Sequence, residues 1–300
     1  MTADMASKRA FLLPHPERDD AWVAASDFAR KVTESGVECV ASPENAARFT
    51  SDFGVQVATQ EDSANCDLIV TFGGDGTILR AADTGREFGT PILGVNLGHV
   101  GFLAEAEANA LDAVVAAVVQ QNYTLETRDT LSVEVQHADG SIESSWALNE
   151  VALEKGVHTH MLDLFLAIDN QPVSRWACDG VVCATPTGST AYSWSAGGPV
   201  VWPDVEAIVV VPASAHALFS RPMVVGPHAK ISVQLSDRSA QGVAACDGRR
   251  VIEIGQGDRA EIVRSDKPVV FARLNEVPFA ERLVRKFELP VSGWRGEARD

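Results

Sequence analysis

Residues Cys66 to Ala82 read CDLIVTFGGDGTILRAA, and they decide the fold of the first half of the chain. The apolar run Leu68 to Phe72 stops at Gly73-Gly74-Asp75-Gly76-Thr77, and a helical spacing, Ile78, Leu79, Ala81, Ala82, begins at once. That order predicts a buried strand at 67–72, a glycine turn and a helix over about 77–87. Glycines leave backbone N–H groups uncovered, and at a helix N-terminus such groups and the helix dipole favour anions such as phosphate. Asp75 sits in the middle of this cradle. A carboxylate beside phosphate either holds a metal ion or accepts a proton from an attacking hydroxyl. The plainer alternative is that it only caps the helix.

Working outward, Arg9 to Leu13 is a first strand stopped by Pro14-His15-Pro16. Asp19 to Glu34 is a helix by its spacing of Trp22, Ala25, Phe28, Ala29 and Val32, and Gly36 closes it before a strand at Val37 to Val40. Pro43 to Thr50 is a further candidate helix, PILGVN (91–96) a strand, and residues 108–121 an amphipathic helix. Strand, helix and strand in succession make a βαβ unit with a parallel sheet. Neither GxGxxG nor GxxxxGK[ST] occurs, so the common dinucleotide and P-loop signatures are absent. The strand at 91–96 runs into NLGHVGF (96–102), so both glycine loops leave from strand ends, where ligands of open α/β sheets sit. His99 and Phe102 are candidates to line that place; core packing is the alternative for Phe102.

After Tyr123 the apolar period becomes two. Leu131/Val133/Val135, Leu162/Leu164/Leu166/Ile168 and Ile231/Val233/Leu235 alternate with polar residues, with turns at Ala138-Asp139-Gly140, Asp169 to Pro172, Asp247-Gly248 and Gly255 to Asp258. This predicts an antiparallel, sandwich-like domain. The expected organisation is an α/β domain over 1–123, a β-rich domain over 124–275, and a return of 276–300 to the first, where FAERLVRKF (279–287) has a helical spacing.

Two stretches of the β-rich half carry more than turn chemistry. Asn149-Glu150 lies inside WALNEVALE (146–154) among apolar neighbours. An amide beside a carboxylate there can bind a sugar diol or a purine edge, or both can face water on an edge strand. DGVVCATPTGSTAYSWSAGG (179–198) holds Thr185, Thr187, Ser189, Thr190 and Tyr192 around Pro186 and Gly188. Hydroxyls and exposed N–H groups suit ribose, carboxamide or phosphate, and Tyr192 and Trp194 could stack on a base; a surface loop is the alternative.

The chain has 300 residues, 46% hydrophobic and 22% charged, with a formal charge of −16. That is globular material for two domains, and its acidity argues against nucleic acid and anionic membrane as partners. Five scattered cysteines without a CxxC pair indicate neither a disulfide framework nor a zinc site and fit a reducing cytoplasm. No signal-peptide pattern opens the chain, and no apolar run reaches the roughly 18 residues of a membrane span.

GGDGT (73–77), NLGHVGF (96–102), LNEVAL (148–153), DGVVCATPTGSTAYSWSAGGP (179–199) and LVRKFELPVSGWRG (283–296) together closely resemble the bacterial NAD kinases, most nearly actinobacterial ones. The resemblance spans about 66–296. It implies an α/β domain with a parallel sheet, Rossmann-like and akin to diacylglycerol kinases and phosphofructokinases, followed by an all-β sandwich-like domain. It implies transfer of the γ-phosphoryl group of ATP, or of polyphosphate in some relatives, to the 2′-hydroxyl of the adenosine ribose of NAD. By the same resemblance Asp75 is the proton acceptor, Gly76 gives a backbone contact, Gly74 and Thr77 belong to the nucleotide-binding residues, and Arg80 is a nucleotide contact that offsets phosphate charge. Asn149 and Glu150 hold the adenosine end of NAD. His160 contacts ligand, Asp179 holds the other end of the dinucleotide, and Thr190, Ala191, Tyr192, Ser193, Trp194 and Ser195 form the binding segment. Some relatives carry Arg where this chain has Ala177, so that phosphate contact is missing. A divalent cation, Mg²⁺, is expected to arrive with ATP, without a protein-built metal cage, and a homodimer or homotetramer is expected. The rival functions are a lipid or sugar kinase using the same GGDGT loop and a non-catalytic NAD(P)-sensing module.

Overall fold

The computed structural model describes residues 8–49, 54–59, 61–97, 101–104, 106–107, 110–156, 160–274 and 277–291. The chain begins β1 (Arg9–Pro14), α1 (Asp19–Glu34), β2 (Glu38–Ala41), α2 (Pro43–Ala46), β3 (Gln56–Val57), β4 (Leu68–Phe72), α3 (Asp75–Phe88), β5 (Ile92–Asn96), β6 (Ala106–Glu107), α4 (Leu111–Gln120) and β7 (Thr124–Arg128). It continues β8 (Leu131–Gln136), β9 (Ile142–Ala147), β10 (Glu150–Lys155), β11 (Leu162–Ile168), β12 (Gln171–Cys178), β13 (Gly180–Ala184), the single turn α5 (Tyr192–Ser195) and β14 (Ile208–Ala213). Last come β15 (Met223–Val225), β16 (Ile231–Leu235), β17 (Gly242–Cys246), β18 (Arg250–Ile254), β19 (Arg259–Arg264), β20 (Val269–Arg273) and α6 (Phe279–Phe287).

The chain divides into two compact units, residues 1–127 with 269–300, and residues 128–268. The first unit carries a sheet ordered β3-β2-β1-β4-β5-β20-β7, with β6 also on β5. Pairings from β3 through β20 are parallel. On one face α1 buries Trp22, Ala25, Phe28, Ala29 and Val32 against Leu12, Val70, Phe72 and Leu93, and α4 adds Leu111, Val114 and Val118. On the other face α3 lies so close that a Cβ at Gly94 would come within 2.6 Å of Ile78 Cδ1. Apolar residues at both parities of β1, β4 and β5 are the natural consequence of a sheet covered on both sides. α3 ends at Gly89 in the left-handed conformation (φ 71°), which costs glycine little.

Two expectations need correction here. Pro43 to Thr50 is not one helix, since α2 stops at Ala46. The domain boundary at 124 falls inside the first sheet, because β7 (Thr124–Arg128) joins it, and β20, unmarked by the alternation pattern, inserts between β5 and β7. A lone strand such as VVFAR (269–273) with no periodicity of its own acquires its place only from its partners.

The second unit is the expected sandwich: one antiparallel sheet ordered β15-β14-β13-β10-β17-β18 and another ordered β12-β11-β16-β19-β8-β9. Their inner faces share a core that includes Val133, Leu153, Leu164, Trp176, Val181, Val233, Ala244 and Ile262. Outward from the first of these sheets, Ala152, Val182, Val209 and Val211 pack with Val201, so β10 and β13 are buried on both sides. All five cysteines are buried and unpaired, and burial pushes the Cys39, Cys178 and Cys183 thiols up to about 12 and those of Cys66 and Cys246 to about 11. Among the described residues no helix is long and apolar enough to cross a membrane.

Candidate active site

In the first unit the sheet order reverses direction between β1 and β4, the switch point at which open α/β sheets bind ligands beyond their strand ends. The loops leaving those ends are adjacent: His15 donates its backbone N–H to Phe72 O at 2.9 Å. A Cβ at Gly73 would stand 2.3 Å from Thr77 Oγ1, so only glycine lets the chain turn this tightly into α3. Gly74, not Asp75, is the N-cap, and it makes no side-chain cap. Built Cβ atoms at Gly74 and Gly76 meet nothing within 4 Å, which leaves open space over the helix N-terminus. Thr77 is buried, and its hydroxyl has no hydrogen-bond partner among the described residues; neither has Nη1 of half-buried Arg80.

The Asp75 carboxylate turns away from its own helix. Oδ2 accepts from the Phe102 N–H at 3.1 Å and Oδ1 from the Leu103 N–H at 3.2 Å. The helix-cap alternative is therefore wrong, because the acid is held by backbone 27 residues away. Gly101 makes this approach possible: a Cβ there would lie 2.3 Å from Asp75 Oδ1. Phe102 is half-buried, its ring centroid 5.8 Å from those of Phe279 and Phe287. His99 lies outside the described residues.

In the second unit Asn149 and Glu150 stand where β9 passes into β10, and the structure builds a support around them. Asp247 follows β17, the neighbour of β10, in the left-handed conformation (φ 53°). Its carboxylate accepts from the backbone N–H groups of Leu148 at 2.9 Å, Asn149 at 2.7 Å and Glu150 at 3.3 Å. Arg250 pairs with it at 2.6 Å and donates to Trp146 O at 2.9 Å. The same guanidinium stacks over the Trp146 ring, its carbon 4.1 Å from the ring centroid. Glu150 is 7% exposed, so the edge-strand alternative for it fails, and its Oε2 has no partner among the described residues. Burial, with the Asp247 charge added, pushes the Glu150 carboxyl up to about 8, while the Tyr192 backbone N–H acts the other way. Burial raises Asp247 too, against three backbone donors and Arg250. Glu150 lacks that support, so it is the member of the pair that keeps a proton at neutral pH.

The hydroxyl-rich stretch is interior rather than a surface loop: residues 181–189 are buried. Most of its hydroxyls are used within the protein. Thr185 Oγ1 donates to Leu148 O at 2.6 Å, and Ser189 Oγ donates to Pro186 O at 2.7 Å and accepts from the Val201 N–H at 2.9 Å. Thr190 Oγ1 reaches Thr187 O at 3.4 Å, and the Ala191 N–H donates to Gly188 O at 2.9 Å. Ser193 is buried with a hydroxyl unpartnered among the described residues, whereas Tyr192, Trp194 and Ser195 are exposed. Tyr192 OH donates to Glu154 Oε1 at 2.6 Å, and burial with that bond pushes the phenol up to about 12. Asp179 is paired with Lys155 at 2.6 Å, which holds its carboxyl below the usual range. His160 is exposed and makes no hydrogen bond or ion pair among the described residues.

Gly188 is the tightest joint between this stretch and the Asn149 turn, since a Cβ there would lie 2.0 Å from Asn149 O. Gly188→Ala is expected to cost at least about 2 kcal/mol, read as a fall in the thermal unfolding midpoint, because backbone rather than a flexible side chain must give way.

Asp247 and Arg250 escaped the sequence reading because Asp-Gly after a strand is an ordinary hairpin signal. The only hint was a second carboxylate in a chain already carrying Glu150 in an apolar strand.

Comparison with known proteins gives a consistent result. The ATP-NAD kinase N-terminal domain family matches residues 21–123 and the ATP-NAD kinase C-terminal domain family residues 148–274. The NAD kinase of Thermobifida fusca is 47% identical over 310 residues, covering 100% of this chain and 95% of its own. That of Mycobacterium tuberculosis is 50% identical over 256 residues, 85% of this chain and 83% of its own. Among solved structures, yeast NADH kinase complexed with NADH superposes with a TM-score of 0.87 at 25% identity, covering 97% of this chain and 90% of that one. An NAD kinase from Archaeoglobus fulgidus in complex with ATP gives 0.71 at 28% identity, covering 94% and 100%.

Proposed function

Because the chain belongs to the NAD kinase family, we propose that Asp75 is the group that accepts the proton of the NAD 2′-hydroxyl as the γ-phosphoryl group of ATP is transferred to it. The lipid- or sugar-kinase and sensing-module alternatives give way to that membership. The observation that carries the proposal is the Asp75 carboxylate, held by two backbone N–H groups beside an open helix N-terminus. A ribose hydroxyl is a poor nucleophile, and a positioned carboxylate that takes its proton contributes typically about 10²–10⁴ in rate. The N–H groups of Gly74 and Gly76, beside open space, suit phosphate oxygens. The Thr77 N–H already donates to Gly74 O at 2.9 Å, so Thr77 offers its hydroxyl instead, and Arg80, one turn further, offers a guanidinium nitrogen that has no partner within the described protein.

Asn149 and Glu150 hold the adenosine end of NAD. A carboxyl that keeps its proton to about pH 8 donates a hydrogen bond, so Glu150 meets an acceptor on the ligand through the Oε2 that the described protein leaves unpartnered. Asp179, charged and paired with Lys155, holds the other end of the dinucleotide, with Thr190 to Ser195 and His160 as further contacts. Tyr192 and Trp194 are exposed aromatic residues of the kind on which a base stacks.

Mg²⁺ fits this arrangement as a guest of ATP. It is commonly held by one or two carboxylates plus substrate phosphates, and Asp75 is a single carboxylate beside open space. Bound there with phosphate oxygens, the ion would neutralise charge on the transferring group. Polyphosphate is a second donor of the same chemistry. The buried thiols suit a reducing cytoplasm, and exposed Trp202, Leu218 and Phe219 in the second unit suit a homodimer or homotetramer. The test is NADP formation with ATP, polyphosphate and Mg²⁺ varied in turn. Chelation of the divalent ion is expected to abolish transfer while calorimetric NAD binding persists, and Mg²⁺ to restore it. Full transfer in excess chelator would overturn the metal assignment.

A further inference from the structure

The donors that hold Asp75 belong to residues 101–104, a segment with no helix or strand of its own, so something else must fix it. The C-terminal return of the chain does. Arg273 on β20 donates from Nη1 to Leu103 O at 3.0 Å, and its Nε pairs with Glu126. Arg282 on α6 donates from Nη1 to Ala104 O at 2.7 Å. The Phe102 ring meets Phe279 and Phe287 from the same helix, each at 5.8 Å between centroids. α6 buries no residue fully, although its Phe279, Leu283 and Phe287 lie at helical spacing. Two members of that stripe, Phe279 and Phe287, meet the Phe102 ring.

We propose that α6 is a positioning element for Asp75, acting through Arg282 and Phe102: the seated helix fixes the Phe102 and Leu103 N–H groups, and these fix both carboxylate oxygens. The proposal rests on Asp75 being the proton acceptor. Among the described residues each oxygen has one donor, so the pair sets the rotation of the carboxylate as well as its position. A base must present its lone pair within hydrogen-bond reach of the proton it takes, and displacement by about 1 Å can cost about a hundredfold in rate. Arg282 and Phe102 are thus positioning residues. Their loss falls on turnover rather than on substrate affinity.

The test is a double-mutant cycle in the full chain. Arg282→Ala and Asp75→Asn are made singly and together, with Arg282→Lys and Phe102→Leu beside them, and kcat and KM for NAD and ATP are measured for each. Arg282→Ala is expected to lower kcat about tenfold with both KM values within about twofold. Arg282→Lys recovers most of the loss, because an ammonium still donates to the Ala104 carbonyl, and Phe102→Leu, which keeps an apolar side chain, repeats the Ala pattern in milder form. In the Asp75→Asn background, Arg282→Ala adds no further loss to the residual rate followed with labelled ATP. A loss by the same factor in both backgrounds, or an unchanged kcat in Arg282→Ala, overturns the proposal alone. Near-normal turnover by Asp75→Asn itself overturns the proton-acceptor assignment, and the proposal with it.

Discussion

Asp75→Asn is expected to fold, to bind NAD with unchanged affinity and to lose phosphoryl transfer by at least about a hundredfold. Asparagine keeps the size of the side chain, but has one oxygen where the carboxylate has two. One of the two N–H donors, from Phe102 or Leu103, keeps its acceptor and the other faces an amide NH₂. The local cost is therefore one hydrogen bond, about 1 kcal/mol. The kinetic cost is larger in kind, because an amide cannot accept the hydroxyl proton at neutral pH. Thermal unfolding, calorimetric NAD binding and single-turnover transfer separate the two. A variant that transfers phosphate near the parent rate would show that the proton leaves by another route.

The second large effect is on stability and depends on pH. The Glu150 carboxyl, ordinarily at 4.5, is pushed up to about 8 in the folded chain, chiefly by burial and next by Asp247. The folded state therefore binds a proton that the unfolded state has released over this interval, and stability falls as pH rises through it. Below about 4.5 both states are protonated and the cost is absent; above about 8 both are ionised and it is complete. At about 1.4 kcal/mol per unit, the full cost is several kcal/mol. Glu150→Gln removes the ionisation. Its unfolding free energy should match that of the parent near pH 4.5 and exceed it by a growing margin up to about pH 8. Denaturant titrations of both chains across that range measure the difference, in which the titrating groups that do not interact with Glu150 cancel and Asp247, coupled to it, contributes to the same trend. A gap that is constant with pH would mean that Glu150 is ionised throughout.

Much of the fold was legible because it is written in local periodicity. α1 occupies the predicted Asp19–Glu34 and α6 the predicted Phe279–Phe287, since each has a single apolar stripe with clear ends. The alternating strands of the second unit were visible for the same reason. What stayed hidden has no local pattern. β20 has five residues of strand without alternation and is placed by β5 and β7. The supports of the site are long-range bonds from side chains to backbone: Asp75 to residues 27 and 28 positions away, and Asp247 to residues 97 to 99 positions away. A backbone N–H is available at nearly every position, so no residue type at the receiving end marks such a bond. The hydroxyl block misled in a related way. Its composition suggested groups offered to a ligand, yet Thr185 and Ser189 spend theirs holding the stretch against Leu148, Pro186 and Val201.

The five buried thiols have a practical consequence for anyone who wishes to watch this enzyme work. A thiol reacts as its thiolate, and groups pushed to about 11 or 12 and shielded from solvent are nearly inert to maleimides at neutral pH. No native cysteine needs to be removed before a new one is introduced. A single exposed cysteine, for instance in place of Val23 on α1 or Val251 on β18, both more than half exposed, would be the one fast-reacting position in the folded chain. Each unit can therefore carry a spectroscopic label at a chosen point with the rest of the sequence left as it is.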